Sequence, residues 1–238
     1  MPEIDCVVER ECRPDDRVRH GRDVDGEGVG TRLLEQKDRN QKEGEKKGGP
    51  IAEHCERNTR IRAVSVRLAT PDDADAIERV RTDTWRATYR GHMPDAVLDG
   101  LGYDATRRRQ QMGTMSADRF VLVAEHDGIV VGFCVGGPAR VADPAHASEI
   151  YAIYVLPEHH GHGHGSALMR AGAREVLARG WRGMLIWVLR ENQLSRLFYE
   201  RMGGRHLRDR DVDREIEGVT ITESGYAWED VTELATLR

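Results

Sequence analysis

Glu158-His159-His160-Gly161-His162-Gly163-His164-Gly165-Ser166 is the stretch on which the reading of this chain turns. An apolar run from Ile150 to Leu156 precedes it and stops at Pro157. Leu168, Met169, Gly172, Ala173, Val176 and Leu177 follow at helical spacing. The order is therefore strand, glycine-rich turn, helix. Alternate glycines let backbone N–H groups crowd around one point, and the helix N-terminus aims its partial positive charge there. Such a turn is an anion cradle, suited above all to a phosphate or pyrophosphate.

Two common phosphate cradles do not fit. Counted from Gly161 and Gly163, the third glycine of a dinucleotide fingerprint would fall on Ser166, and a Walker A loop needs a lysine that is missing here. What remains is polar-x-x-Gly-x-Gly, carried by His160, Gly163 and Gly165. This resembles the acetyl-CoA loop of the GCN5-related N-acetyltransferase (GNAT) family. The family's usual Gln or Arg is here His160, and the Arg common two residues later is His162.

A second stretch strengthens the resemblance. Trp181 to Leu189 reads as a strand, and Asn192 then caps a helix with Leu194, Leu197, Phe198 and Met202 on one face, stopped by Gly203. Asn, a short interval, Phe-Tyr and Gly form the family's other signature. The likeness covers roughly Val64 to Trp228. It implies an α/β fold with a mixed, mostly antiparallel sheet flanked by helices.

The elements between fit that frame. Val64 to Leu68 alternates like an edge strand. Thr70-Pro71-Asp72-Asp73 starts a helix that carries Ile77, Val80, Trp85 and Thr88. A second helix is expected near Asp104 to Met112. Phe120 to Glu125 and Ile129 to Val135 flank His126-Asp127-Gly128 as a hairpin. Arg205 to Asp209 and Val219 to Trp228 supply the last strands.

What the family does assigns roles by position. The resemblance implies direct transfer of an acetyl group from acetyl-CoA, the co-substrate, to a primary amine, without a covalent enzyme intermediate. Such a reaction needs a base for the amine, a donor to the thioester oxygen and an acid for the leaving thiolate. Glu149 matches the family's base, and Tyr199 the acid near the sulfur. Ile153, Tyr154 and Val155 would pair through their backbone with the pantetheine arm. His160, Gly161, His162, Gly163, His164, Gly165 and Ser166 would hold the pyrophosphate. Asn192 reaches the arm, caps its helix, or does both. Trp85 and Tyr89 would wall the acceptor cleft, although an amphipathic helix also carries such rings as core.

Four histidines in six positions match the residue types of a metal chelator. Alternating glycines and a following helix have no role in such a site, so no metal is expected. A histidine-rich metal-binding protein is one rival reading, and a non-catalytic acyl-CoA-binding protein on the same fold is the other.

Composition bounds the rest. The chain has 238 residues and a formal net charge of -5, which gives no basic footprint for nucleic acid. No apolar run reaches the ~18 residues of a membrane helix. Four cysteines without framework spacing, and no signal-peptide pattern, point to the cytoplasm. Every lysine lies before residue 61, where there is no Phe, Trp or Tyr. Residues 1–60 therefore read as a disordered charged extension, and residues 61–238 as the N-acetyltransferase domain. Cys6, Cys12, His20, His54 and Cys55 match no zinc module. The expected partner is a small-molecule or peptide amine, and a homodimer is left open.

Overall fold

The computed structural model describes residues 64–91, 94–141, 145–216 and 219–237, and within 212–221 only the backbone. The extension expected at 1–60, with its cysteines and histidines, lies outside the described residues.

Among the described residues, seven strands form one sheet in the order β1-β2-β3-β4-β5-β7-β6. These are β1 (Ser65–Leu68), β2 (Phe120–His126), β3 (Ile129–Pro138), β4 (Ser148–Val155), β5 (Met184–Leu189), β6 (Arg205–Ile216) and β7 (Val219–Trp228). Every neighbouring pair is antiparallel except β4 and β5, which run parallel. The helices are α1 (Ala74–Tyr89), α2 (Asp95–Asp99), α3 (Ala105–Gly113), α4 (His164–Ala178), α5 (Gln193–Arg201) and α6 (Thr232–Thr236).

Alternation along the strands divides the core. Phe120, Leu122, Ala124, Ile150, Ile153 and Val155 face a cluster completed by Leu168, Met169 and Val176 of α4 and by Phe198 and Tyr199 of α5. Val121, Val123, Phe133, Val135, Tyr151 and Tyr154 face the other, with Ile77, Val80, Trp85 and Tyr89 of α1 and Leu98 of α2. Helices on both faces explain why β4 is buried from end to end, with Glu149 the one charged residue in it.

Local chemistry sets the element ends. Asp127 (φ 54°) and Gly128 (φ 79°) both take the left-handed conformation, which a tight hairpin between β2 and β3 requires. Thr70 and Asp73 form a capping box on a single 3₁₀ turn, Pro71–Asp73, that leads into α1. Asp73 also accepts two bonds of 2.8 Å from the Arg67 guanidinium, which fastens this turn to β1. Arg108 and Arg81 hold the buried Glu78, joining α3 to α1.

Two short helices, α2 and α6, go beyond the expected order, and β6 runs seven residues past Asp209. The α5 face also differs from its expectation. Ser195, Phe198 and Tyr199 are buried, whereas Leu194 and Leu197 are exposed. The burial stripe falls one residue later than the leucines suggested, because the Phe198-Tyr199 pair packs against the sheet.

Candidate active site

Strands β4 and β5 pair over three rungs only, Ser148–Met184, Glu149–Leu185 and Ile150–Ile186. β4 continues to Val155 and β5 to Leu189, so the two strands part after Ile150. A register shift between β3 and β4 at Val135/Gly136 leaves Tyr151 as the extra residue of β4. That extra residue bends the strand at the point where the parting starts. Past the strand ends lies a cleft of about 410 Å³, lined among others by Tyr89, Pro157, His160, Leu189, Asn192 and Leu194.

The glycine turn stands beside the parting. Gly161 (φ 77°) and Gly163 (φ 81°) are left-handed, and Gly163 is the N-cap of α4. No side chain caps the helix there, and its first internal bond runs from Ala167 N–H to Gly163 O. The N–H groups of the first turn thus have no acceptor within the helix. A Cβ on Gly163 would meet nothing within 4 Å, so the cap faces open space.

Tyr199 is fully buried, and its hydroxyl has no hydrogen-bond partner among the described residues. Its ring contacts Phe198, Tyr226 and Trp228. It shares a cluster with Ile153, Val155, Ile186 and Val188, which sit on both sides of the parting. A buried phenol left without a partner has a fixed cost, which is recovered only when something polar arrives.

Glu149 is 2 % exposed and accepts three bonds from Arg140: 2.9 Å from its backbone N–H, and 2.9 and 2.5 Å from its guanidinium. Arg140 also lies over the Tyr151 ring. Oε1 of the expected base is therefore engaged by the Arg140 guanidinium and Oε2 by the Arg140 backbone N–H, both from a residue that the sequence did not single out.

Ile153, Tyr154 and Val155 lie on β4 beyond the last rung with β5, as their expected role requires. Tyr154 has a second task, since its hydroxyl accepts from Trp85 Nε1 at 2.9 Å. Trp85 is thereby a core residue and does not line the cleft, whereas Tyr89 does. Asn192 does double duty: its Oδ1 caps α5 through Ser195 N–H at 3.1 Å, and the residue lines the cleft.

The histidines divide between two directions. His160 turns to the parting, with Nε2 2.9 Å from Val155 O. His159 and His164 turn towards His126 at the end of β2, and His162 is exposed. Burial, and then the neighbouring imidazoles, lower the pKa of His164 to about 4. Burial, then the His126 imidazole, lowers that of His159 too, with His162 and Arg79 adding to the shift and Glu158 opposing it. Both are therefore neutral near pH 7, so these two imidazoles add no positive charge to that of the backbone and the α4 N-terminus.

Sequence reasoning missed Thr88, Leu189 and Leu194 in the cleft, Arg140 on Glu149, and His126 among the histidines. Leu194 stands inside the second signature and His126 inside the hairpin signal, but neither motif marks them for the cleft or for the histidines, and no motif contains the others. Only the parting of the strands and the tight hairpin bring them into place.

These features have counterparts among known proteins. The profile of the "Acetyltransferase (GNAT) family" matches residues 77–204. The chain is 34% identical over 175 residues to the uncharacterised N-acetyltransferase YuaI of Bacillus subtilis (strain 168), covering 73% of this chain and 98% of that one. The fold is similar to that of an N-acetyltransferase from Staphylococcus aureus Mu50, with a TM-score of 0.57 at 19% identity over 71% of this chain and 99% of the other. It is also similar to yncA of Salmonella typhimurium, a putative acetyltransferase solved with acetyl-CoA, with a TM-score of 0.57 at 21% identity over 70% and 93%. Among the described residues no helix is long and apolar enough to cross a membrane. With its parted β4 and β5, its glycine cradle at the head of α4 and its Asn192…Phe198-Tyr199…Gly203 helix, the chain belongs to the GNAT family and is an N-acetyltransferase.

Proposed function

We propose that the chain uses acetyl-CoA as its donor and passes the acetyl group directly to a primary amine held in the cleft beyond β4 and β5. The observation that carries this reading is the parting of β4 from β5 between an uncapped glycine cradle and the unpartnered Tyr199 hydroxyl. The residues fit such a donor. The open space at Gly163 accommodates a pyrophosphate, the part of β4 beyond Ile150 offers its edge to an extended chain, and a buried phenol awaits a polar atom. When bound, acetyl-CoA supplies the acetyl group in activated form as a thioester.

The chain's own groups do the rest. The α4 N-terminus and the backbone from Gly161 to Ser166 hold negative charge, with Gly163 allowing close approach. The β4 backbone from Ile153 to Val155 orients the arm and offers an N–H towards the carbonyl oxygen. Tyr199 delivers its proton to the leaving thiolate. Glu149 lies on the paired part of β4 and not among the residues that line the cleft, so it takes the proton of the amine through water, once Arg140 releases it. Tyr89 and Asn192 wall the acceptor's side.

A screen of primary amines with detection of released thiol tests the reading, run on the parent, Glu149→Gln and Arg140→Ala. Thiol release that depends on an amine, falls ~100-fold in Glu149→Gln and survives in Arg140→Ala supports it. Tight CoA binding with no release for any amine would establish the non-catalytic acyl-CoA-binding protein instead. Equal losses in both variants would make Glu149 and Arg140 a structural pair and leave the base to water.

A further inference from the structure

His126, at the end of β2, and His159 and His164, on either side of the glycine turn, each direct a ring nitrogen to one place. The three nitrogens lie within 4.8 Å of one another. The ring centroids form a nearly equilateral triangle: 5.2 Å between His126 and His159, 5.5 Å between His126 and His164, and 5.9 Å between His159 and His164. Three imidazoles on a tetrahedral ion with Zn–N bonds of about 2.0–2.1 Å would have centroids about 5.2 Å apart. The rings are therefore already close to the spacing that an ion would impose. Small side-chain adjustments would draw the nitrogens in.

A second observation is independent of that spacing. His164 is fully buried, and neither of its ring nitrogens has a hydrogen-bond partner among the described residues. Buried polar atoms are paired in nearly all proteins, so two on one ring call for an occupant. His162 stands at the rim, 6.3 and 6.4 Å from the His126 and His164 rings, where it or a water could take a fourth position. The charges that act on His159 are Glu158, which favours a cation there, and Arg79, which opposes one. The Arg79 guanidinium is held at 2.8 Å by Val130 O.

We propose that His126, His159 and His164 form a binding site for a divalent transition metal of the zinc class, which fastens the end of β2 to the turn that opens α4. All-imidazole ligation selects borderline ions such as Zn²⁺, Co²⁺ or Ni²⁺ over Mg²⁺ or Ca²⁺. The site is separate from the parting of β4 and β5, which His160 faces, and it does not rest on the acyl-transfer reading. The expectation that the histidine run serves no metal left out His126, which the β2–β3 hairpin alone brings to it.

The test uses the full chain without an affinity tag, freed of metal by dialysis. Calorimetry with ZnCl₂ should give one ion bound per chain, and a fluorescence melt should move upward with the ion and not with Mg²⁺. Loaded with Co²⁺, the protein should show tetrahedral visible bands without a thiolate charge-transfer band. His126→Gln and His159→Gln, both at partly exposed positions, should each weaken Zn²⁺ at least tenfold with unchanged circular dichroism. Cys6, Cys12 and Cys55 changed together to Ser should leave binding intact. A thiolate band, parental affinity in the two histidine variants, or no binding would overturn the site.

Discussion

At the scale of single residues, Tyr199 carries the sharpest consequence. Its hydroxyl is buried and unpartnered, so removing it costs the fold little or even helps it. Its place in the proposed chemistry is the donation of a proton. Tyr199→Phe should therefore melt at the same temperature as the parent or slightly higher, while turnover falls ~100-fold or more and CoA affinity is nearly unchanged. A variant with parental turnover would assign the proton to water. Tyr199 was legible from sequence because it stands inside a two-part signature. Arg140 was not, because an arginine in a connection between strands has no pattern to mark what it holds.

Elements show where local rules suffice and where packing overrides them. The cap of α4 was readable from alternating glycines alone, and its conformation makes a prediction. With φ at 81°, a β-branched residue at position 163 is strained by ~1–2 kcal/mol whatever the space around it. Its side chain would also project into the space proposed for the pyrophosphate. Gly163→Val should lower the melting temperature by a few degrees and weaken CoA at least tenfold by calorimetry. Parental CoA affinity in a folded variant would sink the cradle.

The turn that leads into α1 gives a dependence on pH. Two bonds from the Arg67 guanidinium, helped by Thr70 N–H and opposed by partial burial, hold the Asp73 carboxyl down from 3.8 to about 2. A depressed carboxylate stabilises the folded chain above its unfolded pKa, and this contribution fades as pH falls through the folded value. With the Arg67 side chain 41% exposed, about 1–2 kcal/mol is a fair magnitude at pH 7. Asp73→Asn should be less stable by that amount in urea unfolding at pH 7, with the gap closing between pH 4 and pH 2. A gap that stays constant with pH would trace the loss to packing instead of charge.

Other elements escaped the sequence for physical reasons. One turn of helix is too short to display a period, so α2 and α6 announce themselves only through Leu98, Leu234 and Ala235 in the core. The second half of β6 carries Asp211, Asp213 and Glu215, residue types depleted from strands, yet its ladder with β7 keeps it extended to Ile216. In α5 the aromatic pair chose the buried face over the leucines.

Across the whole molecule, the order of strands and the two-faced core followed from hydrophobic alternation and turn chemistry, which are properties of neighbours in sequence. The parting of β4 from β5 and the meeting of His126 with His159 and His164 are properties of residues far apart, which no window of sequence contains. That division also explains the functional reading. The glycine turn proposed to hold the donor is a local motif and was visible at once, whereas the cleft proposed for the acceptor is lined from α1, β5 and the start of α5, and of its acceptor walls only Tyr89 was named from sequence.

The three rungs between β4 and β5 have a mechanical meaning as well. Strands β1 to β4 form one panel and β5, β7 and β6 another, and on the sheet itself they meet only along that short seam. A book bound by so narrow a spine bends there before it bends anywhere else. An extended molecule laid into the open margin would act as added binding, drawing rigidity from both panels at once. The same molecule would then stiffen the whole sheet while touching only its middle, and melting would register its arrival in strands it never contacts.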